Sequence, residues 1–198
     1  MMPEGTNVLI VRNDPDAVEA DLVRRRFSCP ACGVGVLARW GFARDRVLRD
    51  GQRFRPRRAM CATCRSTHVL LADVCLLRRR DSAEVIGAAI SAAGEDYVRV
   101  ADRLGIPPET VRGWRRRFRR WAVAIWAHFT RWLVVLSPGR PAPQLAGSAA
   151  ADALEAIGLA ARAASLRLES IRPAWSWASA LTAGALLSNT SSPWPTPD

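Results

Sequence analysis

Two C-x-x-C pairs constrain this chain more than any other feature, because whatever lies between them must fold so that four sulfurs converge. Cys29-Pro-Ala-Cys32 and Cys61-Ala-Thr-Cys64 are separated by 28 residues. A two-residue gap lets both thiolates of a pair turn toward one ion, and Gly33 permits the tight turn that follows the first pair. Two pairs make a closed tetrahedral set with no open position, the donor set of a single structural Zn2+ held by Cys29, Cys32, Cys61 and Cys64. The intervening residues read as β: 36–42 alternates around Leu37, Trp40 and Phe42, Asp50-Gly51 is a hairpin turn signal, and 68–71 is a further strand. The expectation is a zinc ribbon over 27–77, too small to fold without its metal. Disulfides are the competing use of the thiols, disfavoured by a composition that reads as intracellular. His68 is expected to be a bystander beside four thiolates. The fifth cysteine, Cys75, lies in the apolar run LLADVCLL and reads as a small core residue.

Charge is concentrated around that ribbon. The formal net charge is +11, and all 29 basic residues are arginine. Residues 29–80 carry 12 arginines against 3 acids (+9), residues 81–136 carry 9 against 6 (+3), and residues 137–198 balance. A field of this shape implies a polyanionic partner contacted over the middle of the chain. Arginine suits phosphates and guanine edges, although the absence of lysine beside so much alanine also fits a GC-rich coding bias. Arg53, Arg55, Arg57 and Arg58 decorate the second hairpin strand and are expected to touch phosphates.

Residues 97–121, YVRVADRLGIPPETVRGWRRRFRRW, form the second strong motif. Ala101, Gly105, Val111 and Trp114 are spaced so that two short helices can cross steeply. Gly105 ends the first helix in a left-handed conformation, Pro107 and Pro108 stop it from continuing, and Pro108 suits the first turn of the next. Val111, Trp114, Phe118, Trp121 and Ala122 then recur as a buried stripe, with Glu109, Arg112, Gly113, Arg116 and Arg120 opposite. Turn, period and composition together read as a helix-turn-helix rather than a helical hairpin with a merely solvated basic face. Pro108, Glu109, Thr110, Arg112, Gly113 and Arg116 would face the major groove, with Arg112 and Arg116 reading guanine. Arg115, Arg117, Arg119 and Arg120 would hold phosphates.

The remaining segments arrange themselves around these two motifs. Residues 1–26 form a lead-in with a short strand over 7–12 and helical turns over 15–23. Asp81 is expected to cap a support helix, with Glu84 in capping-box position, an apolar face of Val85, Ile86, Ala89 and Ile90, and Gly94 at its end. The helix-turn-helix domain spans 78–136, and its last helix, from residue 108 to 136, would be about 40 Å long. Trp126, Phe129 and Trp132 on its second half need cover from the C-terminal region or from a second copy. Residues 137–147 read as a Pro/Gly linker and 148–187 as C-terminal helices. The latter comprise an alanine-rich helix with Leu154, Ile157, Ala161, Ala164 and Leu168 in register, then a short one over 174–187. Residues 188–198 read as a disordered tail unless Trp194 docks. The fold class is thus mostly α with a small β zinc ribbon: a ribbon, a three-helix helix-turn-helix unit and a C-terminal helical region. No signal peptide or membrane span is legible, which leads to an expectation of a cytoplasmic, nucleoid-associated protein.

A ribbon built on Cys29, Cys32, Cys61 and Cys64 and followed by LGIPPETVRGWRRRF resembles the front end of bacterial insertion-sequence transposases. It is still more similar to a family of short, uncharacterised helix-turn-helix proteins from high-GC Gram-positive bacteria. The resemblance implies binding to double-stranded DNA. It does not extend to activity, since a full transposase carries three carboxylates on a separate α/β domain. Only Asp152, Glu155, Glu169 and Asp198 follow the linker here, in residues that read as helix and tail. The expectation is a non-enzymatic, sequence-specific DNA-binding protein, either a transposase-derived accessory or a transcription regulator, with one structural zinc and a homodimer or a transposase or polymerase subunit as further partner. The alternative is an interaction module docking such a subunit through the ribbon and the Trp-rich helix, marked by the apolar surplus at Trp126, Phe129, Trp132, Trp175 and Trp177.

Overall fold

The computed structural model describes residues 7–139, 141, 143, 147–188 and 194. The chain is mostly α with a small mixed sheet. In order it runs β1 (Val8–Val11), α1 (Pro15–Val23), β2 (Leu37–Phe42), β3 (Arg46–Val47), β4 (Arg53–Phe54), β5 (Arg57–Cys61), β6 (Thr67–Ala72), α2 (Ala83–Ser91), α3 (Tyr97–Leu104), α4 (Pro108–Leu136), α5 (Ala149–Arg167) and α6 (Ala174–Leu181).

The sheet has the order β1-β6-β5-β2. β5 pairs antiparallel with both β2 and β6, as local hairpins require, whereas β1 adds to β6 in parallel, with Val8 opposite Val69 and Val11 opposite Ala72. The residues expected to be a lead-in therefore complete the sheet. α1, capped by the Asp14 carboxylate accepting from the Ala17 N–H, follows β1 and lays Val18 and Leu22 against Leu37, Ala59 and Leu70. The β3–β4 hairpin turns at Gly51, whose φ of +88° suits glycine.

The helices share one larger core. Ile86, Ile90, Val100, Val111, Trp114, Phe118, Ile125 and Phe129 meet Ala153, Ala156, Ala160 and Trp175 there. The alanines of α5 let its backbone approach α4 closely. α5 runs parallel to α4: Leu154 lies near Phe118 at one end, while Ala161 and Ala164 meet Leu136 at the other. Phe129 is fully buried, and Trp126 and Trp132 pack against the same core, so the C-terminal helices supply the cover that the second half of α4 needs. Gly87 on α2 is where Trp175 of α6 seats, since a Cβ there would lie 2.2 Å from three indole atoms. Gly87→Ala gains about 1 kcal/mol of helix propensity but overpacks that contact at about 1–3 kcal/mol. We expect a lowered thermal midpoint; an unchanged or raised one would show that Trp175 has room to move.

The sheet is fastened to the helices by polar contacts. The Leu77 N–H donates to Gly184 O, the Ser179 hydroxyl to Cys75 O, and Arg172 pairs at 2.8 Å with the buried Asp73. Burial raises the Asp73 carboxyl above its ordinary range, with Arg172 opposing.

Several expectations need correcting. The cap of α2 is Ser82, whose Oγ accepts from the Val85 N–H; Asp81 accepts instead from Arg49 Nε at 2.6 Å, which removes it from that role. Leu168 stands just past α5 and is exposed. α6 ends at Leu181, because Ala183 and Gly184 take positive φ and turn the chain. The expected linker and tail fall partly outside the described residues. Of the tail, Ser188 and Trp194 are described and buried, and the Trp194 indole N–H donates to Leu186 O.

Candidate metal centre and nucleic-acid interface

The four cysteines sit at the tips of two tight turns. The first follows α1, with Gly33 at φ +70°, and the second joins β5 to β6, with Arg65 at φ +63° in the equivalent place after Cys64. Their sulfurs all lie within 4.8 Å of one another, with Cys29–Cys64 and Cys32–Cys61 at 3.7 Å each. A tetrahedron with metal–sulfur bonds of about 2.3 Å has edges of about 3.8 Å, so one thiophilic ion fits between these atoms.

The surroundings favour thiolate. The Gly35 N–H donates to Cys32 Sγ at 3.3 Å, and the Thr63 and Cys64 N–H groups donate to Cys61 Sγ at 3.3 and 3.4 Å. Hydrogen bonds from Ser66, side chain first and then backbone, pull the Cys64 thiol down to about 6, and the Gly35 and Val34 N–H groups lower Cys32. Burial acts the other way on Cys29, pushing it up to about 11. His68 stays outside the ligand set. Its Nε2 lies 3.4 Å from Cys29 Sγ, placed to donate to the thiolate, and burial lowers its pKa and favours the neutral ring. Cys75 packs with Leu48 and Leu71, remote from the cluster.

Two participants were not foreseen from the sequence. One is Ser66. The other is Gly35, where a Cβ would lie 2.4 Å from Cys61 Sγ, so the backbone must pass beside the sulfur. The G-V-G spacing after Cys32 is the signal that could have flagged it.

The second candidate surface is on α4. Asp96 caps α3 by accepting from the Val98 and Arg99 N–H groups, Gly105 ends it at φ +63°, and α4 begins at Pro108. Glu109, Arg112, Arg116, Arg119 and Arg120 are exposed along one face of α4, with Gly113 and Thr110 half-buried at its margin. Arg112, Arg116 and Arg119 have no carboxylate partner among the described residues. Arg112 and Arg119 also border a cavity of about 600 Å³ shared with Tyr97 and the start of α5.

Two arginines expected to hold phosphates are engaged elsewhere. Arg115 is buried: its Nε donates to Ala89 O and its Nη1 to Glu95 O, each at 2.8 Å, while its Nη2 donates to Ala92 O. It closes the carbonyl end of α2 and is unavailable to an external anion. Arg57 forms a two-pronged pair with Glu19 of α1, both bonds 2.7 Å. Arg58 on β5, Arg53 on the β3–β4 hairpin and Arg55 in the connection between β4 and β5 remain exposed, Arg55 loosely opposite Asp45 at 3.7 Å. Arg117 is half-buried beside α4's exposed face. Arg79, from the loop before α2, also approaches this helix: it is half-buried, feels the Arg117 charge and donates from Nη2 to Leu187 O, while its Nε has no partner among the described residues. The run Arg78-Arg79-Arg80 was its only trace in the sequence.

No helix among the described residues is long and apolar enough to cross a membrane. No protein-family model, no curated protein and no solved structure matches the chain.

Proposed function

We propose that the protein is a non-catalytic, sequence-specific binder of double-stranded DNA, acting in the cytoplasm at the nucleoid as a transposase-derived accessory or a transcription regulator. In this reading α3, the Gly105 turn and α4 are a helix-turn-helix, and the cysteine-bearing sheet is a zinc ribbon. The observation that carries it is the row of exposed arginines without carboxylate partners on α4, at the start of a helix fixed by a glycine turn. Zinc is the ion that four thiolates in a closed tetrahedron suit best, and it would supply structure only, held by Cys29, Cys32, Cys61 and Cys64.

The chain's own residues divide the work. In this reading Arg112 and Arg116, both exposed on α4, reach guanine edges, while Glu109, Thr110 and Gly113 border them. With Arg57 and Arg115 withdrawn, the phosphate contacts fall to Arg53, Arg55, Arg58, Arg117, Arg119 and Arg120. About six neutralised phosphates give a slope of log K against log salt near −5. Gly113 has open space where a Cβ would go, although glycine inside a helix costs about 1 kcal/mol relative to alanine. Close approach of the DNA backbone would explain its presence. Gly113→Ala should therefore stabilise the fold and weaken DNA binding, whereas Gly158→Ala, at an equally open position on α5, should stabilise without affecting binding. Equal binding by both variants would remove Gly113 from the interface.

The alternative, a docking module built on the ribbon and the Trp-rich helices, draws less support from its five residues: Phe129, Trp175 and Trp177 are buried within this chain, and Trp126 and Trp132 are half-buried against the same core. The test of the leading reading is selection of bound duplexes from a random pool. An enriched motif with the stated salt slope supports it, and a palindromic motif would add a dimer. Failure to enrich any motif, or an affinity independent of salt, overturns it.

A further inference from the structure

We propose that the open face of the sheet is a stacking platform for the unpaired bases of single-stranded nucleic acid, with Trp40 as the stacking ring. β2 is an edge strand of the sheet, and its pairing with β5 slips between Arg39 and Gly41, so that Trp40 is the extra, unopposed residue of a bulge. Bulges of this kind re-aim a side chain. Leu37 and Arg39 lie opposite Cys61 and Ala59, on the face that α1 covers; Gly41 lies opposite Arg58, on the other face, and the bulge carries Trp40 with it. On its β2–β5 half that second face, with Ala38, Met60, Thr67 and Val69, is only partly buried, whereas toward β1 it is covered, with Leu71 buried against Leu48 and Cys75.

Three observations select a nucleic-acid base as the occupant. Trp40 is 55% exposed, whereas every other tryptophan among the described residues is buried or half-buried. Its ring has no aromatic or cationic partner among the described residues, unlike Phe42 close by, which stacks with the Arg55 and Arg57 guanidinium groups at 4.6 and 4.2 Å. Charge distinguishes the two faces as well. On the α1 side Arg39 and Arg57 are both paired with Glu19, while Arg58 on the open side donates only to the Thr67 hydroxyl, at 3.3 Å, and is exposed. An open aromatic ring beside an unneutralised guanidinium, within a segment of net charge +9, is complementary to a base and its phosphate rather than to an acidic or apolar protein surface. Any base can stack on an indole, so the contact requires no sequence preference. It requires an unpaired base, which α4 does not.

The experiment uses the full-length, zinc-loaded protein and a fluorescent oligothymidylate of about twenty nucleotides, long enough to span a single-strand site and unable to pair with itself. Wild type is expected to bind it, Trp40→Ala to weaken that binding about ten-fold or more, and Trp40→Phe to retain most of it. Zinc content and thermal midpoint should be unchanged in both variants, because the ring contributes little to the core. Duplex binding should be unaffected by Trp40→Ala, whereas Arg112→Ala and Arg116→Ala should leave oligothymidylate binding intact. The proposal is overturned if wild type does not bind the oligothymidylate, if Trp40→Ala binds it as tightly as wild type, or if Trp40→Ala loses single strand and duplex by the same factor. A protein that shows no duplex preference but binds single strands through Trp40 would sustain this inference while refuting the duplex reading.

Discussion

Cys61→Ser is expected to empty the metal site and unfold the sheet around it, with bound metal, zinc in the proposed reading, falling from about one ion per chain toward none. Cys61 is fully buried, accepts two backbone N–H groups and sits against a glycine that leaves no room for adjustment. A serine oxygen is a harder donor, and its shorter bond to Cβ cannot reach the position of the sulfur. Binding of a structural zinc contributes about 10–16 kcal/mol, comparable to the whole stability of an ordinary domain. The apolar cluster of Val11, Val18, Leu22, Leu37, Ala59 and Leu70 adjoins the thiols of Cys29 and Cys61 directly, so loss of the ion should spread through α1 and the sheet. Metal analysis with amide exchange across residues 27–72 would read this out. Cys75→Ser, in a different cluster, should keep its zinc. Full metal content in Cys61→Ser would contradict the four-thiolate site.

Arg115→Ala is expected to cost roughly 3 kcal/mol of stability, since hydrogen bonds from a charged donor contribute about 1.5–3 kcal/mol each and, of the three carbonyls that lose theirs, the buried one of Ala89 cannot turn to water instead, whereas those of half-buried Ala92 and exposed Glu95 can. For a chain of this size that is a fall of about 6–12 °C in thermal midpoint. Arg115→Lys should not restore it, because one ammonium cannot span the carbonyls of Ala89, Ala92 and Glu95. The neighbouring Arg119→Ala should behave oppositely: an exposed residue without a carboxylate partner, it should leave stability unchanged and weaken DNA binding on every sequence. A Arg115→Ala protein as stable as wild type would show that these bonds add nothing net.

What the sequence revealed and concealed follows from the range of each interaction. The limits of α3 and α4 were legible because Gly105, Pro107 and Pro108 act on their own backbone, and Ser137-Pro138 punctuates the far end. The cysteine site was legible because spacing alone determines which sulfurs can share an ion. The parallel pairing of β1 with β6 was not, since alternation marks a strand without naming a partner some sixty residues away. Asp81 and Ser82 are both good caps, and only the position of Arg49 across the fold decides between them. Arg115 is the instructive case. It is four residues from Val111 and three from Phe118, on the edge of the buried stripe, but its role depends on where α2 ends in space.

The central claim, that α4 reads DNA sequence, is tested most directly by the affinities of wild type and the Arg112→Ala/Arg116→Ala double variant for two duplexes, one carrying the selected motif and one scrambled. Wild type is expected to prefer the selected duplex, and the double variant, with unchanged zinc content and thermal midpoint, to lose at least ten-fold of that preference, since each bidentate contact discriminates by about 1–3 kcal/mol. Its affinity for the scrambled duplex should change little. A double variant that keeps the preference, or that weakens equally on both duplexes, would contradict the assignment of α4 as the reader.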